Sequence, residues 1–71
     1  MVDFQYVDSS NVDQIGYDAD TSELHVIFKK TADCYVYSGV PADVYEQLMN
    51  ADSKGQFLNQ RIKGTYDYRK C

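Results

Sequence analysis

From Glu23 to Lys29 the chain alternates, with Leu24, Val26 and Phe28 on one side of an extended backbone and His25, Ile27 and Lys29 on the other. A period of two is the mark of a half-buried strand, and this is its clearest instance in the sequence. Upstream, Val12 to Asp18 puts Ile15 and Tyr17 on a common side, with Gly16 between them as a bulge or a point of close approach. Downstream, Cys34 to Ser38 reads as a third strand, with Tyr35 and Tyr37 sharing a face opposite Cys34 and Val36. The links are polar and short: Asp18 to Ser22, whose side chains compete for backbone hydrogen bonds, and Lys30 to Asp33. Links of that length favour an antiparallel meander.

After Gly39 the period changes. Pro41 suits a first helical position, where its missing donor is not needed, and Asp43 falls where the helix field favours negative charge. Val44, Tyr45, Leu48 and Met49 then make a broad apolar stripe at helical spacing. Ser53 followed by Gln56 has capping-box spacing for a second helix, with Phe57, Leu58 and Ile62 as its buried side and Gly64 as its stop. Met1 to Asp8 alternates loosely and predicts a short extended arm, ended by Ser9, Ser10 and Asn11; Thr65 to Cys71 is either a last strand or a loose end. The fold expected is therefore α+β, a three-stranded antiparallel β-meander followed by two helices packed on one face.

Composition narrows the function classes. At 71 residues the chain is expected to be one domain, residues 1–71, burying only about 60% of its unfolded surface and leaving little room for a deep pocket. No stretch approaches the roughly 18 consecutive apolar residues of a membrane span, and no basic region followed by an apolar one opens the chain, so it reads as cytoplasmic with no membrane partner. That compartment argues against a structural disulfide, and Cys71, as the final residue, is ordinarily too mobile to bridge to Cys34. Formal charge is −4 overall but unevenly spread. Residues 1–53 carry ten acidic groups against Lys29 and Lys30, whereas residues 54–71 carry five basic groups against Asp67, so one end is suited to an anion.

Catalytic chemistry finds little support. His25 is the sole histidine and has no cysteine or carboxylate at ligand spacing, so a solvated or rim position is expected, with no metal and no cofactor. The Asp18, Asp20, Ser22 series has the start of a calcium loop, but Glu23 stands where that loop needs Gly and Lys29 where it needs a bidentate Glu. The serines would all have to share one histidine as base, and none sits in a nucleophile elbow. The glycines are isolated, so no phosphate-cradling loop is present. A non-enzyme is the expectation.

What remains is aromatic and basic surface. Tyr35 and Tyr37 on one sheet face would stack unpaired bases, and Arg61, Lys63, Arg69 and Lys70, interleaved with Tyr66 and Tyr68, would track a phosphate backbone. The structural alternative stands beside this reading: same-face tyrosines also pack beneath a helix with their hydroxyls at the rim, and basic residues near a terminus are often simply solvated.

The succession Ser9-Ser10, Ile15-Gly16-Tyr17-Asp18, Leu24-x-Val26-x-Phe28, Tyr35-Val36-Tyr37, Val40-Pro41, Val44-Tyr45, Leu48, Ala51-x-Ser53-x-Gly55, Phe57-x-Asn59, Arg61-Ile62 and Tyr66 resembles the KTSC domain. This family occurs at the C-terminus of some lysyl-tRNA synthetases and as a free-standing small protein in bacteria and phages. The resemblance spans about Val7 to Tyr68. It implies an RNA-binding role, with RNA or tRNA as partner, and marks Tyr35, Tyr37, Ser53, Gly55, Asn59 and Arg61 for attention. The turn from Lys30 to Asp33 departs from the Gly-containing connection expected before the Tyr-x-Tyr strand. The function expected is thus an accessory module binding nucleic acid through Tyr35, Tyr37, Asn59, Arg61, Lys63 and Arg69. The rival expectation is a protein-interaction module, such as a phage-encoded modulator of a host protein, with exposed tyrosines as hot spots.

Overall fold

Five strands pair in chain order: β1 (Asp3–Tyr6), β2 (Val12–Asp18), β3 (Glu23–Phe28), β4 (Cys34–Tyr37) and β5 (Tyr68–Lys70). Every pairing is antiparallel. The computed structural model describes residues 2–71; Met1, the first residue of the expected N-terminal arm, lies outside them. Two helical segments, α1 (Ala42–Asn50) and α2 (Lys54–Phe57), lie between β4 and β5, and α2 runs on into a π-helical turn, Leu58–Ile62.

The three central strands and the α+β class follow the sequence pattern, but the sheet has five strands and not three. The arm is β1, paired with β2 from Asp3 opposite Tyr17 to Tyr6 opposite Gln14. The tail is β5, paired with β4 from Tyr35 opposite Lys70 to Tyr37 opposite Tyr68. All residues of both added strands are exposed. With no buried side they carry no alternation, and backbone pairing at the two sheet edges holds them instead. The bulge falls at Val12 to Gln14, where the Asp13 carbonyl accepts from the Val7 amide at 3.1 Å. Gly16 keeps regular register opposite Phe4 and His25 and is instead the point of close approach. A Cβ added there would lie 2.5 Å from Val2 Cγ1 and 3.0 Å from Phe4 Cδ1.

Register aligns residues in rows across the sheet. On the helix side, Gln5, Ile15, Val26, Tyr35 and Lys70 form one row, and Asp3, Tyr17, Leu24, Tyr37 and Tyr68 the next. Ile15, Leu24, Val26 and Tyr37 pack with Val12, Val40, Leu48, Leu58 and Ile62 in one buried cluster. The helices thus cover one face, as the apolar stripes require. Tyr17 fastens the start of α1: its hydroxyl donates to the Val40 carbonyl at 2.5 Å, and its ring stacks on Tyr45 at 4.7 Å. Pro41 is the N-cap, one residue before the first helical position expected for it, and its carbonyl accepts from the Val44 and Tyr45 amides. Ser53 caps α2, accepting from the Gln56 amide at 3.4 Å. The hairpin from β3 to β4 has no glycine; Ala32 adopts φ +55° in its place.

The opposite face carries Phe4, Gly16, His25, Val36 and Arg69 in one row and Tyr6, Gln14, Ile27 and Cys34 in the next. Continuing the β4–β5 register sets Cys71 opposite Cys34. The Cys71 amide donates to the Cys34 carbonyl at 2.9 Å, and the two side chains form a disulfide with a Cα–Cα separation of 5.2 Å. This corrects the expectation that Cys71 is too mobile to bridge: pairing of β5 removes that mobility.

Two measurements follow. Gly16→Ala forces Val2 and Phe4 off the sheet and should cost about 1–3 kcal/mol in urea denaturation, with faster hydrogen exchange confined to β1. Cys71→Ser releases a cross-link between residues 37 apart in sequence and should cost about 2–4 kcal/mol against the oxidised protein.

Candidate functional site

Between the β4–β5 edge and the second helical segment lie two adjoining clefts. One, about 340 Å³, is lined by Asn11, Lys30, Tyr35, Gly55, Asn59 and Lys63 among others. The other, about 250 Å³, is lined by Tyr35, Tyr37, Lys63, Gly64 and Tyr68. Tyr35 and Lys63 belong to both and form the divide.

The local sequence explains this shape. The Lys63 amide donates to the Leu58 carbonyl at 2.7 Å, an i to i−5 bond that opens the last turn to π-helical width. Leu58 and Ile62 still reach the core, at 1% and 0% exposure, while Asn59 and Lys63 stand along the cleft. Such wide turns occur frequently at functional sites. Gly64, at φ +80°, ends the segment in the left-handed region that glycine adopts without a Cβ clash. At the other end, Gly55 lies against the loop after β1: a Cβ there would be 3.5 Å from Asn11 Nδ2. In that loop Ser9 Oγ accepts from the amides of Asn11 and Val12, each at 3.3 Å.

Aromatic rings line the sheet side. Tyr35 is half-buried and meets Phe28 edge-on at 5.6 Å and Tyr68 edge-on at 5.5 Å. Tyr68 also lies 5.8 Å from Tyr37, tilted by 42°. Cations stand over two of these rings, Lys63 Nζ 5.5 Å from Phe28 and Lys70 Nζ 5.8 Å from Tyr35, within the range of a cation–π attraction. Lys30 adds a third amine at the first cleft.

The expected site residues part company here. Tyr35, Asn59 and Lys63 come together. Tyr37 does share Tyr35's face, but at 2% exposure it is a core residue, because the helices cover that end of the strand; the expectation that its ring stacks a base gives way. Arg69 belongs to the other face of the sheet, where the pleat of β5 turns it toward Glu23, and Nη2 meets Glu23 Oε2 at 2.9 Å. Arg61 sits over the Phe57 ring at 5.7 Å and lines neither cleft. Tyr68 and Lys70 take the vacated places. Tyr68 is 64% exposed and supplies the accessible ring. The sequence showed them only as part of an aromatic and basic tail, since the face each one takes depends on the register of β5.

Two hydroxyl and carboxyl groups are perturbed. The Arg69 guanidinium and then the Thr21 hydroxyl, both hydrogen-bonded to Glu23, hold its carboxyl below the usual carboxylate range. Burial, reinforced by the neighbouring Tyr35 and Tyr68, raises the Tyr37 hydroxyl above its ordinary value. Among the described residues, one group of metal-ligating side chains occurs, His25 with Cys34 and Cys71, on the face of the sheet away from the clefts.

This fold with this motif order has known counterparts. The KTSC domain profile matches residues 8–66, and the chain belongs to the KTSC domain family. It is 36% identical over 63 residues to a lysine–tRNA ligase of Nostoc punctiforme, covering 89% of this chain and 11% of the ligase; the chain thus spans about a tenth of that relative. An uncharacterised protein of Stutzerimonas stutzeri is 40% identical over 55 residues, 78% of this chain and 76% of that one. The crystal structure of a KTSC domain protein from Yersinia pestis superposes with a TM-score of 0.95 at 38% identity, covering 100% of this chain and 99% of that one.

The raised Tyr37 hydroxyl makes stability depend on alkaline pH. The native state holds that proton to higher pH than the unfolded chain does. Its stabilising effect is complete below about pH 10, the unfolded value, and is lost as pH rises through the native value. Urea midpoints compared at about pH 9 and about pH 11 should fall less in Tyr37→Phe than in the parent protein.

Proposed function

We propose that this chain is a small non-catalytic accessory module that binds single-stranded RNA in the paired clefts. The observation that carries this reading is the joining of an accessible ring, Tyr68, with Tyr35 and the amines of Lys63 and Lys70 at one place on the surface. An exposed aromatic face stacks any base, and flanking amines neutralise phosphates; the two together are the recurring means of binding single strands. Asn59 and Lys30, along the adjoining cleft, supply hydrogen bonds to base edges and a further phosphate contact. The domain's attachment to lysine–tRNA ligase in cyanobacterial relatives supports a tRNA-related setting in the cytoplasm. Among the described residues no helix is long and apolar enough to cross a membrane.

A protein partner is the second reading, favoured by β1, an edge strand on which Tyr6 is 79% and Phe4 39% exposed. A strand from a partner would extend the sheet there, with Tyr6 as anchor. Net charge of −4 repels a polyanion at long range and favours this alternative wherever local cations do not prevail.

Amide chemical-shift titration with a pool of short single-stranded RNA and transfer RNA, at low and at physiological salt, separates the two. Binding in the clefts should shift Tyr35, Lys63, Gly64, Tyr68 and Lys70. Tyr68→Ala should weaken it by about 1–3 kcal/mol. Lys63→Ala should lower the slope of log affinity against log salt by about 0.7. An absence of shifts at low salt would end the RNA reading.

A further inference from the structure

On the sheet face away from the helices, β-pairing gathers three side chains that the sequence keeps far apart. Cys71 stands opposite Cys34, and His25, whose partner on β4 is Val36, stands diagonally across from Cys34. Their candidate ligand atoms, one imidazole nitrogen and two sulfurs, all lie within 4.8 Å of one another. His25 is half-buried, with its ring edge-on to Phe4 at 5.8 Å. Its side chain makes no hydrogen bond among the described residues, so its ring nitrogens are uncommitted. The expectation of an isolated histidine holds along the sequence, but the sheet supplies both of the missing cysteines.

We propose that reduction of the Cys34–Cys71 disulfide turns this cluster into a site for a thiophilic divalent cation of the zinc class, held by both thiolates and His25 with its fourth position open to solvent. Two thiolates and an imidazole are the soft and borderline donors that such an ion selects over harder cations. Tetrahedral coordination at ordinary zinc distances needs ligand atoms about 3.5–3.8 Å apart. Reduction releases the sulfurs from bonding distance toward that separation, and an imidazole nitrogen already stands within 4.8 Å of both. Cross-strand pairing keeps the three backbones in place, so assembly needs side-chain motion alone.

The balance is simple. A dithiol reductant donates two electrons and two protons; the sulfur–sulfur bond breaks, Cys34 and Cys71 become thiols, and the reductant closes its own disulfide. Metal binding then releases the two thiol protons to solvent. The disulfide and the metal are therefore mutually exclusive occupants of one place. This is independent of RNA binding, which uses the other face of the sheet.

The test is cobalt and zinc titration of the full chain, oxidised and after reduction by a water-soluble phosphine under anaerobic conditions. The phosphine takes its oxygen from water, whose two protons go to the thiols. Reduced protein should bind one cobalt ion per chain with thiolate-to-metal charge-transfer absorption, displaced by zinc; oxidised protein should show none. Cys34→Ser should abolish the band, and His25→Ala should weaken cobalt binding at least about tenfold. Far-ultraviolet circular dichroism runs alongside. A reduced chain that loses its sheet and regains it with zinc supports the site. Absent charge-transfer absorption in reduced protein, unchanged affinity in His25→Ala, or a lost sheet that zinc does not restore overturns it.

Discussion

The rows that run across the sheet constrain everything else in this molecule. Because strand side chains alternate in direction and antiparallel register puts partners abreast, one choice of register decides which five residues share a line and which way that line points. With Leu24 abreast of Tyr17 and Tyr37, the apolar residues of the central strands meet Leu48, Leu58 and Ile62. The same register necessarily sends His25, Cys34 and Arg69 to the opposite side. A slip of one residue between β4 and β5 would exchange Tyr68 for Arg69 at the cleft and carry Cys71 away from Cys34. Core, cleft and cysteine pair are therefore consequences of a single pairing, not separate features.

That dependence explains what was legible in the sequence. Strands with one buried side declare themselves through alternation, and so β2, β3 and β4 were visible, as were the helical stripes containing Val44, Leu48, Leu58 and Ile62. Asp3–Tyr6 and Tyr68–Lys70 bury no side chain, and their place in the sheet rests on backbone hydrogen bonds that leave no mark on residue type. Gly16 signalled a special position, but a bulge and a close approach call for the same residue; only the presence of Val2 and Phe4 above it decides between them.

The candidate site was legible to the same depth. Tyr35 and Lys63 were identifiable because both belong to elements with a clear pattern. Tyr37 was assigned to the correct face and then to an outward role, since a tyrosine two residues further along a strand reads alike whether a helix covers it or not. Tyr68 and Lys70 replace it and Arg69 because their positions derive from β5, the element that sequence pattern left undecided. The disulfide escaped for that reason too: Cys71 looked like a loose end until its strand had a partner.

The widened turn at Leu58–Ile62 carries a further implication. A π-helical turn accommodates one residue more than an α-helical turn, and one residue corresponds to about 100° of rotation around a helix axis. Loss of a single residue there would restore ordinary helical spacing and swing the amine of Lys63 away from the clefts, while the strands and their register stayed as they are. Length variation at this one turn gives the fold a short evolutionary route to a charged rim or a neutral one, decoupled from the sheet that supports it.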